Sequence, residues 1–490
     1  MDTKKLRQKV LDLAIHGKLV KQDSNDEPAS ILLDRIRAEK ARLIKEGKIK
    51  NNTSTTKISE NKPYDIPESW TWCIVDDFAY VASGSTPQKE AFVDKGIPYI
   101  KMYNIRNQKI DFEYQPQYIK EEVHNGKLKR SRTEVGDLLM NIVGPPLGKM
   151  AIIPPSLPES NFNQAAVLIR PLLHKEILVK YLFYYLSEMS EINSISTKGT
   201  AGQVNISLTQ SQNMRVALPP LDEQHRIVKA VDELFEQIDI IERSEKELEE
   251  AANKTRDKLL NLAIQGHLVP QDPNEEPASV LLERIRAEKT HLVKEGKLKK
   301  KDLEEKPISP DEIPFDIPEG WVWCRISDIA YILNGYAFKS SMYVGKGIRV
   351  IRITNVQNGS IVDDDPKYYP FTDESAIQKY MLLNGDLLMS LTGNIGRVGI
   401  IESNLLPAAL NQRVACIRLY DERLKIYLFN YFLSEYFRKR CIASGKGMAQ
   451  QNMSTDWLSN DLFPLPPLSE QRRIVTKLEE LLQEIDKLKA

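Results

Sequence analysis

The sequence is short of cysteine. Its four, Cys73, Cys324, Cys416 and Cys441, stand far apart with no CxxC pair, which excludes a zinc ribbon and a disulfide framework and leaves buried thiols as their expected state. Neither charge sign is in excess, because Lys plus Arg and Asp plus Glu each number 68. No global positive field therefore advertises a polyanion, and any nucleic-acid role must rest on local patches. An apolar run of about 18 residues, as a bilayer span needs, is absent, and the opening MDTKKLRQKV has no signal-peptide h-region. A cytoplasmic chain without membrane association is expected. There is no GxxxxGK[ST] phosphate loop, only fragments such as GKGMAQ (445–450), and no HExxH. GPPLG (144–148) lacks the amide and aromatic residues of an Asn-Pro-Pro-aromatic adenine-methylation motif, and six scattered histidines form no acid–base constellation. Binding without chemistry is the expectation, with no catalytic residue and no metal ligand on this chain.

What is present is repetition. At 490 residues, 41% hydrophobic and 28% charged, the chain has the composition of a globular protein with two or three domains. EPASILLDRIRAEK (27–40) returns as EPASVLLERIRAEK (276–289), an offset of 249. The match extends back through LAIHGKLV (13–20) and LAIQGHLV (262–269), and forward through KEGKIK and KEGKLK. Further along, YDIPESWTWC (64–73) pairs with FDIPEGWVWC (315–324), GDLLM (136–140) with GDLLM (385–389), Asn163-Gln164 with Asn411-Gln412, and LPPLDEQHRIV (218–228) with LPPLSEQRRIV (465–475). A unit of this length is a tandem duplication of whole domains, not a short-period solenoid.

After Pro219-Pro220 the apolar residues Ile227, Val231, Leu234, Ile238, Ile241, Leu248, Ala252, Leu259 and Leu262 recur at helical spacing, interrupted by Glu245 and Thr255. Residues 222 to about 264 read as one coiled-coil-type helix, roughly 60 Å long, with Asp222 as its N-cap. The second copy starts alike (Ile474, Leu478, Leu481, Ile485, Leu488) but stops at Ala490, and its missing half stands at the other end of the sequence, at Leu6, Val10 and Leu13. The duplication is circular. About six residues would close the ring, so the termini are expected within roughly 10 to 20 Å of each other. The acidic stretch from Glu242 to Glu250 reads either as a solvated face or as a docking surface.

The expected fold is α+β: two tandem mixed α/β domains (60–220 and 310–467) separated by long antiparallel coiled-coil-like helices in a pseudo-twofold circular repeat. An N-terminal helical segment (1–59) completes the repeat, a central long helix and helical spacer covers 221–309, and a C-terminal helix covers 468–490. Helices are expected to start near Pro28 and Pro277, and VKYLFYYLSEM and KIYLFNYFLSEYF read as helical. Trp70/Trp72 and Trp321/Trp323 suit a strand that opens each domain and read as core anchors. Between matched blocks the domains diverge, as STPQKEAFV (85–93) against YAFKSSMYV (336–344) shows. Similar scaffolds with dissimilar loops imply two related ligands, which on DNA means two half-sites. Residue types that read base edges are Lys101, Asn104 and Arg106 in the first domain and Arg352, Thr354 and Asn355 in the second. Lys127, Lys129, Arg130 and Arg132, with Arg438, Lys439 and Arg440, are candidates for phosphate neutralisation. The turns GPPLGK and GNIGR place Lys149 and Arg397 beside glycines.

Two divergent domains, each closed by PPLxEQ and followed by a heptad helix, with the repeated LAI-GxLVxQD-EPAS-LL-RIRAEK text, resemble the type I restriction-modification specificity subunit over essentially the whole chain. The resemblance implies that each domain reads one half of a bipartite double-stranded DNA site. It implies helices that act as a ruler and bind two methyltransferase subunits, with restriction subunits joining them. It places S-adenosylmethionine, ATP and Mg on the partners. Readings that stay open are a non-enzymatic coiled-coil scaffold that binds proteins, an unrecognised nuclease or methyltransferase, and the specificity subunit of a combined restriction-methylation enzyme.

Overall fold

The computed structural model describes residues 1–49, 62–144, 146–196, 205–296, 298–371, 377–445 and 452–488. The boundary expected at 59/60, all of GKGMAQ after Gly445, and Ala490, from which ring closure is reckoned, lie outside the described residues. Two compact units, Met1–Ser244 and Glu245–Ala490, divide inside the single helix Leu221–Ile264. The architecture is α+β, with two tandem mixed domains.

In the first unit, helices Thr3–Ile15 and Ala29–Lys45 precede strand Thr71–Ile74, which pairs antiparallel with Arg215–Leu218. An antiparallel sheet follows in the order Ala79–Ser83, Ala166–Pro171, Leu138–Asn141, Met150–Ile152. A smaller mixed sheet holds Asn161–Phe162, Ile97–Ile100, Tyr118–Ile119 and Phe92–Val93. The second unit repeats the plan. Val322–Arg325 pairs with Leu462–Leu465; Ala330–Asn334, Val414–Leu419, Leu387–Ser390 and Val398–Ile400 form one sheet; Tyr368–Tyr369, Ile348–Ile351 and Ala408–Leu410 form the other. The GDLLM segments are apolar without alternation because each strand is covered on both faces. Leu138 and Met140 join the core shared with the helices, whereas Leu139 joins the core between the two sheets. Leu387, Met389 and Leu388 divide in the same way.

One buried carboxylate ties the repeated motifs together in each unit. Glu223, of PPLDEQ, accepts a hydrogen bond from Trp70 Nε1 at 2.9 Å and another from Gln22 Nε2 at 2.5 Å. Glu470, of PPLSEQ, accepts from Trp321 Nε1 at 2.8 Å and Gln271 Nε2 at 2.7 Å. The neighbouring Gln224 and Gln471 donate to the carbonyls of Pro219 (2.8 Å) and Pro466 (2.9 Å) and fix the entry into the helix. Arg226 pairs with Asp26 at 2.5 Å, and Arg473 pairs with Glu275 in the equivalent place. Gly17 (φ +66) completes the joint: a Cβ there would lie 2.5 Å from Pro67 Cγ, so only glycine lets this turn pack on the IPESW segment. Trp70, Trp72 and Trp321 are buried, as core anchors should be, whereas Trp323 is half-buried.

The terminal helices fill equivalent places. Arg7 of the N-terminal helix pairs with Asp239 and Glu242 and lies 5.0 Å over the Phe235 ring, all within the first unit. In the second, Arg256 pairs with Asp486 of helix Leu468–Lys487 at 2.6 Å. Arg7 plus 249 is Arg256 and Asp239 plus 247 is Asp486, so the same ion pair occurs in both units, each time with a terminal helix as one partner. The helices Ala29–Lys45 and Ala278–Lys294 start after Pro28 and Pro277. Their segments, whose role the text alone leaves undefined, bury Ala29, Leu32, Leu33 and Ile36 and their counterparts in the two main cores. Lys40 reaches Asp76 at 2.8 Å, and Lys289 reaches the Ser327 carbonyl at 3.0 Å.

Three expectations change. The long helix starts at Leu221, so Asp222 lies in its first turn and is not the cap. Its seam is not the nine-residue set: Leu234 and Leu248 are exposed, and Phe235, 5.7 Å from Tyr184, takes the inward position. A straight α-helix drifts against a heptad, so the buried phase moves by one residue. KIYLFNYFLSEYF is two helices, Lys425–Leu433 and Glu435–Ser444, because Ser434 leaves helical geometry and its side chain accepts from Phe437 N. Among the described residues no helix is long and apolar enough to cross a membrane.

Trp70→Phe keeps an aromatic ring but removes the indole N–H and leaves a buried carboxylate oxygen without its donor, so with the smaller ring's cavity it should cost at least about 1–3 kcal/mol in urea unfolding, and Trp321→Phe should cost the same. Unchanged midpoints would remove the joint from the account. Burial raises the Glu223 and Glu470 carboxyls above the ordinary value of 4.5, against the two hydrogen bonds each accepts. An acid with a raised folded pKa favours the fold below its ordinary value, and that contribution is lost as pH rises through the folded value. The stability difference between the native chain and the Glu223→Gln/Glu470→Gln variant should therefore shift in the variant's favour as pH rises over that window, and a flat difference would contradict it.

Candidate nucleic-acid interface

Each domain carries a short hairpin beside a glycine turn. In the first, Ile105–Arg106 pairs with Lys109–Ile110 across a two-residue turn in which Asn107 (φ 48) and Gln108 (φ 58) are both left-handed. That is the geometry of a tight β-hairpin, at a cost for a side chain such as Gln108. Gln108 Oε1 accepts from Met150 N at 3.1 Å and ties the tip to the neighbouring sheet. In the second domain, Val356–Gln357 pairs with Ser360–Ile361, Gly359 (φ 93) takes the place of Gln108, and its N–H bonds the Val398 carbonyl at 2.8 Å.

The glycine turns are held by different residues. Asn141 donates to the carbonyls of Val143 (3.2 Å) and Pro146 (3.0 Å) and accepts from Lys149 N (2.6 Å). Ser390, at the equivalent place, donates to the Asn394 carbonyl (2.5 Å) and accepts from Arg397 N (3.0 Å). Hairpin and turn together enclose a cavity of about 550 Å³ in the first domain, lined by Tyr103, Arg106, Asn107, Gln108, Tyr114 and Lys149. In the second, a cavity of about 320 Å³ lies between the glycine turn, with Asn394 and Arg397, and the helices that carry Phe432, Arg438 and Ile442, with Asn358 at its hairpin side.

Arg106 stacks over Tyr114 at 3.9 Å, with its Nε 3.7 Å from Asp111, and Lys149 is exposed beside it. Lys101 stands apart, its ammonium 5.4 Å from the Phe92 ring and 5.9 Å from Tyr103. Lys127, Lys129 and Arg130 are exposed and have no ion-pair partner among the described residues. Arg397 donates to Gln357 Oε1 at 2.7 Å, and Thr354 is exposed with its carbonyl accepting from Gln357 Nε2 at 2.9 Å.

Other candidates have structural tasks. Asn104 is buried: it accepts from Lys101 N (2.9 Å) and donates to the carbonyls of Asp111 (3.2 Å) and Tyr114 (2.8 Å). Asn355 accepts from Arg352 N (2.8 Å) and donates to Val362 O (2.9 Å) and Asp363 Oδ1 (3.0 Å). Both amides are engaged within their own loops, and the two residues leave the candidate set. Arg132 is bound to Asn125, the His124 carbonyl and Glu159, and Arg352 to Asp365. The cluster at 438–440 divides because successive helical residues point about 100° apart. Arg440 turns inward to buried Asp461 at 2.5 Å, Arg438 meets Asp257 at 3.3 Å and Lys439 meets Glu435 at 2.9 Å. Sequence reasoning missed Tyr103, Tyr114, Asn107 and Gln108, and Gln357, Asn358 and Asn394 opposite them. The Asn-Gln and Asn-Gly pairs between short apolar stretches were the available signal for the hairpins. Among the described residues no group of three or more His, Cys, Asp or Glu could hold a metal ion, and all four cysteines are free and buried.

A duplicated frame that presents cation- and amide-bearing hairpins on otherwise unlike loops is the build of a two-domain recognition protein. The family model "Type I restriction modification DNA specificity domain" matches residues 67–250 and again 318–490. The type I restriction enzyme EcoAI specificity subunit of Escherichia coli is 34% identical over 99% of this chain and 90% of that protein, and the EcoEI specificity subunit, also of E. coli, is 30% identical over the same shares. Two solved structures share the fold at 21% identity. One, described as the structural basis of complex assembly and conformational transition of the type I R-M system, covers 87% of this chain and 93% of its own with a TM-score of 0.60. The other, the HsdS subunit from Thermoanaerobacter tengcongensis, covers 88% and 93% with a TM-score of 0.50. The chain belongs to the type I restriction-modification DNA specificity family.

Asn104→Ala and Asn355→Ala should each lower stability by about 1–3 kcal/mol, because a backbone N–H and carbonyls lose their partners. They should leave the recognised bases unchanged in any assay of site preference. A changed target without a stability loss would return these residues to the interface.

Proposed function

We propose that this chain is the non-catalytic specificity subunit of a type I restriction-modification complex. Residues 60–220 and 310–467 each read one half of an asymmetric bipartite double-stranded DNA site. The helical segments 1–59, 221–309 and 468–490, as antiparallel coiled-coil-like helices, fix the separation of the half-sites and dock two methyltransferase subunits, which restriction subunits join. S-adenosylmethionine, ATP and Mg act on those partners, in the cytoplasm. One observation carries this reading: a hairpin beside a glycine turn occurs twice on one frame, with Arg106 and Lys149 in the first where Gln357 and Arg397 stand in the second. Identical cradles would read identical half-sites, and unlike ones read unlike half-sites. The exposed Lys127, Lys129 and Arg130 supply local charge for phosphates on a chain with no net charge.

The test is the genome-wide map of methylated adenines in the host, with and without the gene. Loss of one asymmetric two-part motif with a fixed spacer is expected; an unchanged map in a host with active partner genes would favour a protein-binding scaffold. Four residues inserted near Glu245 lengthen the helix by about 6 Å and should change the spacer within that motif, and an unchanged spacer would defeat the ruler.

A further inference from the structure

The two hairpin-and-turn sites differ in residue type but share one property, a guanidinium held by a neighbouring side chain while one edge stays open. In the first domain the Arg106 guanidinium carbon lies over the Tyr114 ring, 3.9 Å from its centroid, and its Nε side is drawn to Asp111 at 3.7 Å. The Nη1/Nη2 edge has no partner among the described residues. In the second domain the hairpin offers Gln357 at this position, and both polar atoms of its amide are engaged. Nε2 donates to the Thr354 carbonyl at 2.9 Å, which orients Oε1 to accept from Arg397 Nη1 at 2.7 Å. Gln357 is thus not a reader; it aims Arg397, whose Nε and Nη2 have no partner among the described residues. The first domain presents its arginine from the hairpin and the second from the glycine turn beside it.

A fixed guanidinium with a free edge has two parallel N–H donors, the pattern that the O6 and N7 acceptors of guanine take in the major groove. A phosphate contact requires no such aiming, and Lys127, Lys129 and Arg130 are charges of that unaimed kind. Gln108 supports the assignment. A non-glycine side chain is kept in a left-handed turn, and its amide pins the hairpin that carries Arg106 to Met150 N, so backbone strain is tolerated where the position of this tip matters.

Building on the proposed function, we infer that each half-site contains one G·C pair read through its guanine, by Arg106 in the first domain and by Arg397 in the second. Tyr114 and Gln357 are the positioning residues that hold the two guanidinium planes.

The experiment uses the full chain assembled with its methyltransferase subunits. The target is mapped by adenine methylation and by competition binding against duplexes substituted at each base pair. Arg106→Lys keeps the charge and loses the paired donors. A preference for guanine of about ten- to a hundredfold at one position of one half-site should fall to below about threefold, with the other half-site unchanged. Arg397→Lys should do the same in the other half only. Tyr114→Leu and Gln357→Ala leave both arginines in place and should relax the same two positions, which keeps the test open if either lysine variant folds poorly. Lys127→Ala/Lys129→Ala/Arg130→Ala should weaken binding to every sequence alike and flatten the salt dependence without altering the motif. Variants that bind more weakly with an unaltered motif would overturn the assignment, as would a relaxed position that is not guanine. If the native complex yields no bipartite motif at all, it is the proposed function that fails.

Discussion

The structure depends on a carboxylate that is costly to bury alone. Ionised and dry, Glu223 would oppose folding by several kcal/mol, and what makes it tolerable is that two donors from distant parts of the chain arrive together, the Trp70 indole and the Gln22 amide. The helix that leaves the domain can start only where the strand that opens the domain and the loop after the N-terminal helix are both already placed. Arg226 with Asp26 extends this joint by one helical turn, and Gln224 closes it against Pro219. With Glu470 the second unit repeats the arrangement, Glu275 standing where the first has Asp26. The helical frame is in this way registered onto each recognition domain by polar contacts of defined direction, which an apolar contact alone would leave free to slide.

A frame fixed in this way leaves the far side of each domain free to change. The strands there are short, and their connections are held from within by buried amides: Asn104 and Asn355 under the hairpins, and Asn141 or Ser390 under the glycine turns. Side chains that point inward stabilise the loop, and those that point outward can be exchanged without disturbing it. The exchange of Asn141 for Ser390 shows that even the internal support has more than one chemical solution for the same turn.

The duplication, its circular order and the long helix were legible because they are written as repeated text and period. The phase of the helix was less so, since a heptad template puts Leu234 inward where the helix presents Phe235. Glu223 was invisible as a buried acceptor because an acid in a first helical turn is ordinary in a sequence, and its partners lie 153 and 201 residues away. The same limit governs the site. Asn104 has the side chain of a base reader, and only the positions of Asp111 and Tyr114 show that its amide is engaged. Arg438, Lys439 and Arg440 form a patch in text but point in three directions in space. Arg106 and Arg397 were legible as residue types, whereas the stacking and the amide that aim them were not.

Two repeated domains on a repeated frame would by themselves make a symmetric reader, and on duplex DNA a symmetric reader recognises a palindrome. One asymmetry lies at the hairpin and the glycine turn, where a stacked arginine of the hairpin in one unit answers to an amide-held arginine of the turn in the other. The joints at Glu223 and Glu470 lie on the helix side of each domain, the cradles belong to the hairpin and glycine-turn loops, and no residue named in one set occurs in the other. Substitution at a cradle residue therefore does not enter the joint, and substitution at the joint touches no cradle residue.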